Sequence, residues 1–279
     1  MPHLDYGLPS GFLVNALCVV LELCMAAGQI AQKCEQRNFP MQAMQVTEYN
    51  SPLVLNDMPK PAPATGEVVV QIATCGLNFG DTLMVKGSYQ EKPQLPFTPG
   101  MELAGTITAV GEGVSEFKKG QRIAAYSGVG GLAEYAALPA HICVPLPDEM
   151  PFEDAAAFLI TYGTSHLALG AKAALQPDER LLVLGASGGV GLTAVELGHL
   201  MGAEVIACAR GAEKLAICAT KGADHLIDSD QEDIRDRVKA LGGADVVYDP
   251  IGGEQFNAAM RASNQGARLL PLGFASGDV

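Results

Sequence analysis

One glycine-rich stretch carries the strongest chemical signal in the chain: Leu182-Val-Leu-Gly185-Ala-Ser187-Gly188-Gly189-Val190-Gly191. An apolar run, Leu181–Leu184, precedes it and reads as a strand, and Val190–Met201 follows as a helix. Against the spacing G-x-G-x-x-G, Ala186 takes the first glycine position, and Gly188 and Gly191 take the other two. The pattern suits a diphosphate. Gly188 lets the backbone approach it, Gly191 permits close helix–strand contact, and the helix beginning near Gly189 and Val190 aims unpaired N–H groups at the anion. Ser187 reads as a phosphate-contacting hydroxyl. The same residues also spell G-x-S-x-G, the turn of a hydrolase nucleophile. That chemistry needs an acid and then a histidine downstream, but the last histidine is His225, beside Asp224, and none follows Asp249. The hydrolase reading fails on order.

At the end of the second strand, an acid would accept hydrogen bonds from the ribose 2′-OH of NAD. This chain has Ala207-Cys-Ala-Arg210 there, with Lys214 one turn later. Two cations suit a 2′-phosphate, so the expected cofactor is NADPH. The competing assignment makes both residues solvated surface charges near a helix start.

Elements that would position this loop emerge from pattern. From about residue 166 strands alternate with helices: Val205–Ala209, Ala212–Thr220, His225–Ile227, Ile234–Leu241, Asp245–Tyr248, Gln255–Ser263 and Arg268–Leu272. Continuous apolar strands between helices mark a parallel sheet covered on both faces, here five strands of a doubly wound α/β unit. From 41 to about 165 the chain instead shows short β runs punctuated by Gly and Pro, namely Glu67–Ala73, Leu103–Val110, Arg122–Ala125 and Ala133–Leu138, which suggest a mostly β, barrel-like domain. Met41–Tyr49 reads as an alternating strand. Residues 1–40 are expected to be a loosely ordered appendage, because Asn15 and Glu22 interrupt the apolar stretch Phe12–Ala27 and no basic leader precedes it.

Composition narrows the classes further. With 48% hydrophobic residues the chain can bury a large core, and 18 Lys+Arg against 31 Asp+Glu leave a net charge of −13. Such a surface disfavours nucleic acid and anionic membranes, both of which require clustered positive charge. Seven cysteines, an odd number in a long chain with no C-x-x-C spacing, read as reduced thiols of a cytoplasmic protein.

Several further segments resemble a known family: Cys75-Gly-Leu-Asn78-Phe-Gly-Asp81, Lys86-Gly-Ser-Tyr89, Leu95-Pro-Phe-Thr-Pro-Gly-Met101-Glu102-Leu-Ala-Gly105, Gly222-Ala-Asp-His225 and Asp249-Pro-Ile-Gly-Gly253. Together with the glycine loop and in this order, they resemble the zinc-independent, zeta-crystallin-like NADPH:quinone oxidoreductases of the medium-chain dehydrogenase/reductase superfamily. The resemblance covers 41–279. It implies a GroES-like β-rich catalytic domain (41–165) and a Rossmann NADPH-binding domain (166–279), without the family's last strand and C-terminal return. It implies hydride transfer to a quinone or an α,β-unsaturated carbonyl. The alternative is a chain that binds NADPH or partners without turnover. The parent family is homodimeric, and a dimer is not expected where the last strand is missing. Zinc-dependent cousins carry Cys where this chain has Asn78 and His where it has Met101, so no metal is expected.

The resemblance also assigns roles. Asn78 would lie beside the nicotinamide and polarise the acceptor, Asp81 would support its loop, and Tyr89 would line the acceptor site. Thr164 would sit near the cofactor and Phe274 would wall the nicotinamide. Each has a plainer alternative: Asn78 capping a turn, Asp81 as the N-cap of the following helix, Tyr89 as a packing residue. The chain departs from the family at Leu83, His166 and Ser229, where several members carry tyrosine.

Overall fold

The computed structural model describes residues 41–277, and the reading of residues 1–40 lies outside them. The chain parts into two compact units at Leu159/Ile160.

The first unit is built on strands β1 (Met41–Gln45), β2 (Val54–Met58), β3 (Glu67–Gly76), β4 (Glu102–Val110), β5 (Arg122–Tyr126), β6 (Tyr135–Pro139) and β7 (Cys143–Pro145), with short helices α1 (Phe79–Val85) and α2 (Phe152–Ala156). Five of the strands form an antiparallel sheet in the order β6-β3-β4-β5-β7, and β1 and β2 pair as a ribbon. Val68, Val70, Leu103, Ile107, Ile123 and Leu138 form its main apolar core. The β3–β4 ladder shifts register between Val69 and Val70 and again between Ile72 and Thr74. Such irregularities bend a strand and re-aim the segment after it. Here that segment is the Gly76–Asn78 turn, leading into α1.

The reading of Met41–Tyr49 as an alternating strand is corrected: β1 ends at Gln45, and all five of its residues are buried. Ala43 bridges to Ala133 and Val46 to Phe97. With both faces covered, the polar side chains turn to partners within the ribbon rather than to water, except Gln42 Oε1, which is buried without one. Gln42 Nε2 donates to Asp57 Oδ1 at 3.0 Å, and Asn56 Nδ2 donates to Gln45 Oε1 at 2.8 Å.

The second unit opens with α3 (Leu159–His166) and a π-helical turn, Leu167–Lys172. Then come β8 (Arg180–Val183), α4 (Gly189–Leu200), β9 (Glu204–Ala209), α5 (Ala212–Thr220), β10 (His225–Asp228), α6 (Ile234–Ala240), β11 (Ala244–Asp249), α7 (Gly253–Ala262) and β12 (Ser263–Pro271). All five strands run parallel in the order β10-β9-β8-β11-β12. This is the doubly wound arrangement anticipated from the apolar runs, and Leu181, Val183, Val205 and Val246 fill one side of the sheet while Leu182, Leu184, Ile206 and Val247 fill the other. The strand order reverses between β8 and β11, and ligands of such sheets bind beyond the carboxyl ends of the strands at that switch point. The loops leaving β8 and β11 are the glycine loop and Pro250–Gly252.

Among the described residues no helix is long and apolar enough to cross a membrane.

Candidate functional site

In the second unit the chain leaves β8, turns at Gly185 with φ +56°, and enters α4 with Gly188 as the N-cap. The sharp turn expected of the first fingerprint glycine is thus made one residue early, at Gly185. Ala186 is instead fully buried, its N–H donating to the Cys208 carbonyl at 3.0 Å. A methyl group on Gly191 would stand 2.3 Å from the Gly185 oxygen, so only glycine fits where the first turn of α4 crosses the loop. Gly188 and Gly189 are exposed, and Ser187 and Val190 are half-exposed. The ladder of the helix begins with Leu192 N–H to the Gly188 carbonyl at 2.8 Å. The amides of Gly189, Val190 and Gly191 precede it and form the positive end of a 12-residue helix.

Arg210 directly follows β9, and Lys214 lies in the first turn of α5, both half-exposed. Gly211 between them donates its N–H to Asp228 Oδ1 at 3.1 Å, an acid from the end of β10 that also accepts Asp230 N–H at 3.1 Å. Phe274 follows β12 with 47% of its surface exposed. Its segment is tied to the loop after β11 through Ala275 N–H to Pro250 O and Ser276 N–H to Ile251 O. The same loop touches the glycine turn: a methyl on Gly185 would lie 2.6 Å from Ile251 Cδ1. Asp249, buried, braces that loop by accepting N–H groups of Ile251 at 2.8 Å and Gly252 at 3.0 Å. Burial pushes its carboxyl pKa up, and those two amides pull it back.

Thr164 sits half-buried on α3. Its neighbour Ser165 is a hub that sequence reading missed. Ser165 Oγ lies 3.0 Å from the Val190 carbonyl, 2.8 Å from Thr193 Oγ1 and 2.8 Å from Tyr248 Oη, and all three hydroxyl residues are buried. Thr193 Oγ1 also donates to the Thr161 carbonyl at 3.0 Å. The hub therefore pins α3 to the first turn of α4 and to β11. Burial raises the Tyr248 phenol to about 12, and the Ser165 bond opposes that shift. These bonds explain why α3 belongs with the second unit.

The first unit brings Asn78, Asp81 and Tyr89 to one end of its sheet. Asn78 is the N-cap of α1, and Asp81 occupies the third helical position, which corrects the alternative that Asp81 itself caps the helix. Asn78 N–H donates to Asp81 Oδ2 at 2.8 Å, and Gly100 N–H donates to Oδ1 at 3.0 Å. Fully buried, Asp81 thereby stitches the Asn78 turn to the Gly100–Met101 turn. Burial lifts its pKa to about 6, against the pull of the Asn78, Gly100 and Met101 amides, and the Glu102 charge adds to the rise. Glu102, 1% exposed, accepts Asn78 Nδ2–H at 2.9 Å and fixes the amide plane. Tyr89 N–H donates to the Leu83 carbonyl at 3.2 Å. A methyl on Gly80 would be 3.4 Å from Tyr89 Cε2 and 2.8 Å from Met101 Sδ, so ring and thioether converge on α1. Burial pushes the Cys75 thiol far up, which makes it a poor nucleophile.

The signal for Glu102 was an acid inside an otherwise apolar strand. Ser165 and Thr193, small polar residues within helices, gave none.

A GroES-like sheet joined in one chain to a doubly wound unit with this loop defines a dehydrogenase/reductase of the medium-chain class. Residues 64–148 match the alcohol dehydrogenase GroES-like domain, and 189–279 match the zinc-binding dehydrogenase domain. A quinone oxidoreductase-like protein 2 homolog of Nematostella vectensis is 39% identical over 85% of this chain, which spans 66% of that relative's length. The quinone oxidoreductase of Lama guanicoe is 37% identical over 84% of the chain and 73% of its own length. The quinone oxidoreductase of Thermus thermophilus, solved also with NADPH, superposes with a TM-score of 0.74 at 36% identity, covering 82% of this chain and 72% of its own. The chain belongs to the quinone oxidoreductase family of that superfamily.

The donor set beside Asn78 does not suit a catalytic zinc. Among the described residues no group of three or more His, Cys, Asp or Glu is arranged to hold a metal ion, and the amide of Asn78 and the thioether of Met101 are poor zinc ligands.

Proposed function

We propose that the chain transfers a hydride from NADPH to a quinone or an α,β-unsaturated carbonyl without zinc. The observation that carries this reading is the Asn78 amide, a neutral donor held in one plane by Glu102 and by the Asp81 stitch. Such a group can hydrogen-bond an electron-poor carbonyl as negative charge builds on it. In this reading the amides of Gly188–Gly191 and the Ser187 hydroxyl hold the diphosphate. Arg210 and Lys214 meet the 2′-phosphate, and Thr164 and Phe274 flank the nicotinamide. Bound NADPH supplies the hydride, and the acceptor takes up a proton from water. Asn78 and Tyr89 orient the acceptor oxygen, and Asp81 is a positioning residue. The NADPH complex of the Thermus thermophilus relative supports this choice of cofactor. Among the described residues Cys75, Cys143, Cys208 and Cys218 are free thiols, which supports a cytoplasmic location.

The test is NADPH oxidation by the purified chain when 1,4-benzoquinone is added, with NADPH binding measured in parallel by fluorescence. Turnover, reduced at least tenfold in Asn78→Ala with binding intact, is the expected result. Binding without turnover would overturn it in favour of a non-catalytic NADPH-binding chain.

A further inference from the structure

We propose that Tyr126 sets acceptor specificity, giving the Asn78 site a preference for flat aromatic quinones over acyclic enones. The inference rests on the proposed hydride transfer and adds the shape of the acceptor.

Tyr126 closes β5, and its antiparallel partner across the ladder is Glu102, the residue that holds the Asn78 amide. Directly opposed residues in such a pair project from the same face of the sheet, with Cβ atoms about 5 Å apart. The Tyr126 ring therefore rises beside the Glu102–Asn78 pair. The chain beyond it is held there, because Ser127 and Gly128 both donate their N–H groups to the Met101 carbonyl, at 2.9 and 3.0 Å. Met101 and Tyr89 converge on Gly80 from the same region.

The strand residues before Tyr126, Ile123–Ala125, are buried, yet this ring keeps 47% of its surface exposed. Partial burial and the fields of Tyr89, Glu91 and Asp81 raise its pKa, so the phenol stays protonated and able to donate. Tyr126 opposite Glu102, with Tyr89 and Met101 against Gly80, thus gathers two phenols and a thioether at the start of the Asn78 helix. Aromatic rings stack on one another in offset or edge-on geometry, and sulfur packs well against ring edges. A quinone offers such a face, whereas an acyclic enone offers only its carbonyl.

The experiment compares kcat/KM for 1,4-naphthoquinone and methyl vinyl ketone, with NADPH, in the wild-type chain and in Tyr126→Ala, Tyr126→Leu and Tyr126→Phe. The naphthoquinone-to-enone ratio should fall about three- to tenfold in the Ala and Leu variants, the range expected for one lost stacking partner. Tyr126→Phe, which keeps the ring, should retain most of the wild-type ratio. An unchanged ratio in Tyr126→Leu, or a loss as large in Tyr126→Phe as in Tyr126→Ala, overturns the proposal. A wild-type chain that binds NADPH and reduces neither acceptor overturns the parent reading, and this one with it.

Discussion

Substituting alanine at Gly191 and at Gly188 separates what the glycine loop needs in order to fold from what it needs in order to bind. At Gly191 the added methyl would sit 2.3 Å from the Gly185 oxygen and 2.9 Å from both Gly185 C and Ala186 Cα, all backbone atoms that no rotamer change can move. Overpacking of this kind costs about 1–3 kcal/mol, and three backbone contacts put this site at the upper end. Alanine's better helix propensity returns about 1 kcal/mol, for a net loss of about 2 kcal/mol. In a domain of this size that lowers Tm by several degrees, on the order of 5–10 °C. Gly188 differs: its φ is −77°, and a methyl there would meet only the Gly185 oxygen, at 3.3 Å. Its substitution should cost under about 1 kcal/mol of stability, the scale of an N-cap change. The same methyl would stand where the diphosphate approaches, so NADPH affinity should fall at least about tenfold, or about 1.4 kcal/mol. Urea unfolding and NADPH fluorescence titration of both variants make the assay. Equal stability losses, or wild-type NADPH affinity in Gly188→Ala, would contradict this division of roles between the two glycines.

Three further outcomes are expected. Ser165→Ala orphans the buried Tyr248 hydroxyl and should cost about 1–3 kcal/mol in urea unfolding; adding Tyr248→Phe removes the orphan and should recover part of that loss. Asp81 has a folded pKa of about 6 against an ordinary 3.8, so its contribution to stability is complete below the lower value and is lost as pH rises through the upper one. Between pH 4 and 8 that amounts to at most about 3 kcal/mol, and Asp81→Asn should flatten this part of the profile when unfolding is followed across the range. Arg210→Asp should weaken NADPH about tenfold or more relative to NADH in competitive titrations, because it sets a like charge against the 2′-phosphate.

The parallel sheet was legible because its strands are runs with both faces covered: β8 and β9 are buried at every residue after the first. The ribbon strand β2 was not, since Asn56 and Asp57 make it look like a loop, and their partners Gln45 and Gln42 lie in another strand. β7 is three residues long and ends in proline, too short for a pattern. In the candidate site, the turn-and-helix geometry of Gly188–Gly191 was legible from local spacing. The Asp81–Gly100 and Asn78–Glu102 bonds span 19 and 24 residues and leave no periodic trace. Still less visible was the bond between Ser165 and Tyr248, 83 residues apart. Spacing reveals groups that act through their own backbone, and it conceals those that act through a side chain from elsewhere.

Tyr248 grips the glycine loop twice. Its hydroxyl meets Ser165 ahead of the loop, and its carbonyl accepts the N–H of Leu184 at the loop's first residue, 3.0 Å away. One side chain and its own peptide thus anchor both approaches to the turn, so folding itself sets the shape of the receptacle. The dinucleotide proposed to bind there would find little left to organise, and its association should be governed by encounter rather than by rearrangement.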